Sequence, residues 1–251
     1  MGSTSDNEQT NPSMGLNKND DAPISVDDEI SSGLSNDTSG QPVEYCFLPP
    51  LLLEHRDRKT LVLDLDETLV HAFVNDPPPH YDFLLEFPAD AVNDFTTIYV
   101  MKRPGVHEFL EAAAKLFEVV VFTAASRSYA NAALDRLDVN GTLITHRLDH
   151  YDCTPITLIL KNDREEEKEE IVNVKDLAQL GRDLSKTVIV DNSPIAYILQ
   201  PENALPISSY FEYDPNDCEL SRVMTILRTI VESNDDVRDV LKQLQVQNQV
   251  E

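Results

Sequence analysis

The sequence predicts an α/β domain with a mainly parallel sheet, on two observations: short unbroken apolar runs, and amphipathic helical stretches between and after them. The runs are Leu61-Val62-Leu63, Val119-Val120-Val121-Phe122 and Val188-Ile189-Val190. An unbroken apolar run suits a strand buried on both faces, as in a parallel sheet covered by helices. Strand and helix signals that alternate along the chain argue for a doubly wound, Rossmann-like arrangement.

The elements follow in order. Residues 1–45 are rich in Ser, Asn, Asp and Gly with scattered apolar side chains. Such a segment cannot bury enough apolar surface to offset its ordering entropy, and it is predicted to be a disordered acidic N-terminal segment. Order is expected to begin near Tyr45-Cys46-Phe47-Leu48-Pro49-Pro50, giving one domain over residues 46–251. After the first strand, Asp82–Phe87 and Thr97–Met101 alternate in the manner of an inserted antiparallel hairpin. Val106, Phe109, Leu110 and Ala113 recur at helical spacing, with Pro104 suited to a helix start. The run Asn162–Glu170 is so charged that it must be solvated, and a loop or a projecting helix end is expected there. Leu220, Val223, Met224, Leu227, Ile230 and Val231 form one apolar stripe, and Val237, Val240, Leu241 and Leu244 a second.

Composition narrows the function. The net charge is −25; residues 1–45 hold nine acids against Lys18, so −17 remains on the rest of the chain. A surface this acidic repels phosphate backbones, and direct binding of DNA or RNA is not expected. Any phosphate the protein handles should meet a small, local positive site. No apolar run is long enough to cross a bilayer. The start shows neither an apolar signal core nor an arginine before Arg56, and Asp6 stands where an N-myristoylation motif wants Ser or Thr. Cys46, Cys153 and Cys218 have no metal-ligand spacing and read as small buried side chains in a reducing cytosol or nucleus. Nothing signals oligomerisation, and a monomer is expected.

The segment that carries chemistry is Leu61-Val62-Leu63-Asp64-Leu65-Asp66-Glu67-Thr68-Leu69-Val70-His71. A buried strand delivers two carboxylates, two residues apart, at its C-terminal end, the edge where ligands bind in open α/β sheets. Two acids this close cannot both stay ionised cheaply: either a cation sits there or one of them is protonated. Hard oxygen ligands at a phosphate site suit Mg²⁺.

Asp64-Leu65-Asp66-Glu67-Thr68-Leu69-Val70-His71 resembles the signature of the FCP/SCP-like phosphatases of the haloacid dehalogenase superfamily, the small C-terminal-domain phosphatases of RNA polymerase II and their relatives. Lys102-Arg103-Pro104-Gly105, Phe122-Thr123-Ala124, Val174-Lys175-Asp176-Leu177 and Val190-Asp191-Asn192-Ser193-Pro194 resemble later motifs of the same family, in the same order. The resemblance implies a Mg²⁺-dependent serine/threonine phosphatase acting through a phospho-aspartyl intermediate. Asp64 would be the nucleophile and Asp66 the general acid, then the base. Mg²⁺ would be held by Asp64, the backbone carbonyl of Asp66 and Asn192, with Asp191 supporting it through its hydration shell. Thr123 would hold phosphoryl oxygens, and Lys175 would neutralise their charge. The partner implied is a phosphorylated protein, with the polymerase repeat as leading substrate and the nucleus favoured over the cytoplasm. His71 reads as packed rather than catalytic, and Arg103 as a tie between the insert and the core.

In the family, an insert after the first strand forms a lid and an apolar pocket for the peptide beside the phosphoserine. Phe83, Ile98, Val100 and Tyr129 are the candidates here; simple packing of the hairpin is the other reading. Two positions depart from the family: His150 stands where an Arg is usual, and Ser126 where members carry an apolar pocket residue. The acidic run at 163–170 is a third departure: either it rims the substrate channel and favours basic or neutral phosphopeptides, or it is a solvated loop with no role. A catalytically silent binding module and a small-molecule phosphatase remain as other classes. The five matched residues Asp64, Asp66, Thr123, Lys175 and Asn192 argue against the first, and a hairpin-sized lid against the second.

Overall fold

The computed structural model describes residues 46–88, 95–161 and 167–248. The predicted disorder of residues 1–45 and the first part of the charged run, 162–166, lie outside the described residues. In chain order the elements are β1 (Lys59–Leu63), β2 (Val70–Val74), β3 (Phe83–Pro88), β4 (Phe95–Lys102), α1 (Val106–Leu116), β5 (Phe117–Phe122) and α2 (Arg127–Leu137). There follow β6 (His146–Leu148), β7 (Thr154–Lys161), β8 (Glu167–Val174), β9 (Thr187–Asp191), β10 (Ala204–Pro206), α3 (Glu219–Glu232) and α4 (Val237–Asn248).

The central sheet has the order β10-β9-β1-β5-β6, and every neighbouring pair is parallel. Its three inner strands are the three apolar runs, and their alternation feeds two cores. Leu61, Leu63, Val119, Val121, Val188 and Val190 face one side, and Val62, Val120 and Ile189 the other. All four α-helices bury their apolar stripes on the first side, where Phe109 and Leu110 of α1 meet Val223, Leu227 and Ile230 of α3. The second side is closed by Leu48, Tyr197 and a 3₁₀ turn through Leu177 and Leu180. The α/β expectation therefore holds, with unequal layers.

Two antiparallel units leave the C-terminal edge of this sheet. The insert is larger than a hairpin: β2 joins β4 and β3 in a three-stranded sheet of order β2-β4-β3. Val70-His71-Ala72-Phe73-Val74 pairs with β4 from Ile98 to Lys102, a strand hidden in the sequence because it continues directly from the aspartate motif. The second unit corrects the reading of the charged run. Glu167–Glu170 opens β8, which pairs with β7 from Lys161 back to Thr154. Glutamates are poor strand formers, yet this ribbon stands in water and its glutamates stay solvated while Val172 and Val174 turn inward. The cysteines also depart from expectation: Cys46 and Cys218 are exposed and Cys153 half-buried, all three as free thiols.

Candidate active site

Parallel register sets the geometry. Leu63 pairs with Val190 on one side and Val121 on the other, so Asp64 after β1 and Asp191 closing β9 emerge at one level, with Thr123 one residue beyond it after β5. Lys175 arrives from the end of β8, where its backbone N–H donates to Ala196 O at 2.7 Å. Its ammonium donates to Asp64 Oδ1 at 2.5 Å and Asp191 Oδ2 at 2.6 Å, with all three side chains largely shut from solvent. Burial pushes the Asp64 carboxyl up, Lys175 opposes that, and the charges of Asp191 and Asp66 add to the rise. Burial works against the Lys175 ammonium, but Asp64 and Asp191 outweigh it and hold the lysine well above its ordinary value. One buried positive charge is thus shared by two carboxylates, and the ammonium has a third N–H for another acceptor.

Asp66 sits two residues on, in a loop stapled by Glu67 N donating to Val70 O at 2.7 Å and Leu69 N to Leu65 O at 2.9 Å. Glu67 takes a left-handed backbone, φ 60°. For a non-glycine residue that costs roughly 1–2 kcal/mol. The loop holds it there: Tyr210 N donates to Glu67 O at 2.8 Å, and the Glu67 carboxylate lies 3.2 Å from His71 Nδ1. His71 packs edge-on against Phe73 and Phe211, the packed role its position suggested. Thr68 Oγ1 lies 3.4 Å from Asn192 Oδ1, and Asn192 Nδ2 donates to Ser209 Oγ at 3.0 Å, so the carboxamide oxygen faces the aspartate loop. Arg103 has a fully buried side chain that donates to Asp217 at 3.0 and 2.8 Å, to Ser208 O at 2.8 Å and to Thr68 O at 3.3 Å. It therefore ties the aspartate loop to the segment after β10, and not simply the insert to the core.

The four pocket candidates separate. Val100 and Ile98 are 0% and 4% exposed inside the main core, so they pack the insert down and present no open wall. Phe83 keeps part of its ring open and packs against the same core. Tyr129 is buried, and its hydroxyl donates to Asp66 Oδ1 at 2.6 Å. No spacing in the sequence signals that contact, which needs α2 folded across the insert. Burial pushes the Asp66 carboxyl up, and Tyr129 pulls it part of the way back, to about 6.

Thr123 is buried, its Oγ1 accepting from Ala125 N at 3.0 Å and keeping its own hydrogen to donate. Ser126 is exposed at the start of α2, and its side chain makes no cap bond. His150 lies behind this loop: its N–H donates to Ala125 O at 3.1 Å, and its Nδ1 is 3.5 Å from Asn173 Nδ2.

Asp64 and Asp191 meet on one lysine, and Asn192 turns a neutral oxygen toward the aspartate loop; these are hard donors of the type a divalent cation takes, although among the described residues no three acidic, His or Cys side chains are grouped as a ready-made metal site. Asp191 already spends Oδ2 on Lys175 and Oδ1 on Ser193 N, at 2.8 Å, which fits an outer, supporting position. The arrangement can present a carboxylate oxygen to an electrophile, stabilise negative charge beside it, and supply a proton from a second carboxyl whose pKa lies near neutrality.

This is a buried-aspartate site at the carboxyl edge of a parallel sheet, the edge where ligands bind in open α/β folds. The chain belongs to the NLI interacting factor-like phosphatase family, whose model matches residues 59–238. It is 41% identical over 208 residues to the probable C-terminal domain small phosphatase of Dictyostelium discoideum, covering 83% of this chain and 62% of that protein. With the mouse carboxy-terminal domain RNA polymerase II polypeptide A small phosphatase 2 it shares 39% over 199 residues, 79% of this chain and 67% of that one. With phosphatase PSR1 of Saccharomyces cerevisiae it shares 41% over 196 residues, 78% of this chain and 42% of that one. The chain thus spans between two fifths and two thirds of the length of these relatives. Among the described residues no helix is long and apolar enough to cross a membrane.

Proposed function

We propose that this protein is a Mg²⁺-dependent phosphoprotein phosphatase that hydrolyses phosphoserine or phosphothreonine through a phospho-aspartyl intermediate on Asp64. The observation that carries the reading is the Lys175 ammonium bound between Asp64 and Asp191, with Asp66 held by Tyr129 beside them. A carboxylate oxygen of Asp64 attacks phosphorus while the bond from phosphorus to the serine oxygen breaks, and Asp66 gives its proton to the departing alkoxide. Water then attacks the acyl phosphate, Asp66 takes the water proton, and phosphate leaves with Asp64 restored. The third N–H of Lys175 and the Thr123 hydroxyl meet the phosphoryl oxygens, where charge builds in both steps. Asp64, the Asp66 carbonyl and Asn192 would hold Mg²⁺, with Asp191 supporting it, and the ion would supply Lewis-acid charge to those oxygens.

The names of the relatives support the RNA polymerase II C-terminal repeat as leading substrate, and with it a nuclear location. The net charge of −25 supports a protein rather than a nucleic-acid partner, and the protein acts as a monomer on this reading.

The test is hydrolysis of p-nitrophenyl phosphate by the purified protein with Mg²⁺ or EDTA, alongside Asp64→Asn. Activity that requires the metal and disappears in Asp64→Asn is expected. Activity at the Asp64→Asn level from mildly acidic to neutral pH would instead mark the chain as a binding module.

A further inference from the structure

The β7–β8 ribbon is rooted in the walls of the active site. β8 ends at Val174, one residue before Lys175, and β7 starts beside Cys153, whose thiol lies 3.8 Å from Thr123 O. At the root, Asn173 approaches His150, which is itself bonded to the loop that follows Thr123. Outward from the root, one face carries the cross-strand pairs Asn173 with Pro155, Ile171 with Thr157, and Glu169 with Ile159. Ile171 and Ile159 are 65% and 62% exposed, although β-branched side chains in a ladder normally face a core. Lys168 pairs with Glu170 on the opposite face, at 3.5 Å, so its charge is spent away from Glu169. The sheet has two strands, and among the described residues no third strand runs beside β8.

We propose that this face docks the substrate: an extended segment of the phosphorylated protein adds along β8, seating an apolar side chain on Ile171 and a lysine or arginine against Glu169. Strand addition of this kind takes affinity from main-chain hydrogen bonds and specificity from alternate side chains. At about 3.3 Å per residue, Ile171 lies roughly 13 Å and Glu169 roughly 20 Å along the strand from Lys175. An extended peptide has the same rise, so the apolar contact falls about four residues and the basic contact about six residues from the phosphorylated one. The occupant must be basic because the outer half of β8, Glu167-Lys168-Glu169-Glu170, is itself negative on a chain of net charge −25. The inference rests on the phosphoprotein reading and extends it by naming the substrate class.

The experiment compares phosphoserine peptides with leucine four residues and either lysine or glutamate six residues from the phosphoserine, on each side in turn. Rates are taken as kcat/KM relative to p-nitrophenyl phosphate, which is too small to reach the ribbon. The wild-type protein is expected to prefer the lysine peptide about two- to fivefold at low salt, the scale of an exposed ion pair. The preference should fall toward unity in about 1 M salt and invert in Glu169→Lys. Ile171→Ser should lower kcat/KM for both peptides roughly fivefold with little change in kcat. Equal rates on the two peptides, unmoved by Glu169→Lys, would overturn the docking strand while leaving the phosphatase intact. Hydrolysis of the small ester but of no phosphopeptide would overturn the phosphoprotein reading and the docking strand together.

Discussion

Glu118 offers a test of how the sheet is held at the end opposite the site. It is the second residue of β5, level with Thr60 of β1, and no part of it is exposed. Arg182 grips it with two bonds of 2.7 Å, Thr60 Oγ1 donates at 2.9 Å, and His146 Nε2 lies 3.2 Å away. Burial pushes the carboxyl up, but Arg182, His146 and Thr60 more than reverse it, holding the group at about 2 against an ordinary 4.5. That displacement corresponds to roughly 3 kcal/mol of native-state stability. A depressed folded pKa contributes fully above the unfolded value near 4.5, and the contribution is lost as pH falls toward 2. Glu118→Gln removes the charge and strands the buried Arg182 fork, at a cost of about 3–5 kcal/mol near neutrality. Urea titrations of both proteins followed by circular dichroism should show that gap at pH 7 and little change by pH 5. By pH 3 the gap should have narrowed, and extrapolation toward pH 2 should recover about 3 kcal/mol. A gap that stays constant down to pH 3 would mean Glu118 is not ionised through this network, and the assignment would fail.

Three further outcomes follow from the site. Tyr129→Phe deletes the 2.6 Å bond to Asp66, an interaction of about 1.5–3 kcal/mol for a charged acceptor, and should lower kcat about tenfold or more with KM little changed. An unchanged kcat would show that the hydroxyl does not position Asp66. Arg103→Met strands Asp217 and loosens Thr68, so a loss of about 3–5 kcal/mol is expected, and thermal melts should fall by roughly 10 °C. Mg²⁺ at a hundred times its Kd should stabilise the wild-type fold by about 2.7 kcal/mol in thermal-shift titrations, and Asn192→Ala should need far more metal for the same gain. No response to Mg²⁺ in the wild-type protein would remove the metal from the proposed reaction.

The inner strands were legible because burial on both faces leaves a plain mark: Leu61–Leu63, Val119–Phe122 and Val188–Val190 are apolar without a break. The edge strands were not, since His146–Leu148 and Ala204–Pro206 have three residues each and too little pattern to count. Strand β8 was misread for a physical reason. Glu167–Glu170 are exposed throughout, so this part of the strand needs no apolar alternation and resembles a solvated loop. Within the site, Asp64, Lys175 and Asp191 were legible as motif residues, but their shared ion pair required the register of β1 against β9. Tyr129 shows the limit most clearly. As a residue type it suggested a pocket wall, and only the placement of α2 aims its hydroxyl at Asp66.

On the proposed function, the position of Lys175 accounts for how so acidic a chain would admit a phosphate. Before reaction its ammonium is held by Asp64 and Asp191, which keeps a lone positive charge in a buried site where it would otherwise be costly. On the proposed pathway Asp64 loses its negative charge when it becomes an acyl phosphate. The 2.5 Å bond to its carboxylate then weakens just as three phosphoryl oxygens arrive beside it. Lys175 can transfer that bond to the phosphoryl group while Asp191 keeps it in place, and no side chain has to move far. On that proposed pathway the cation is preorganised for the transition state and masked in the resting state, a combination that a solvent-exposed lysine would not give.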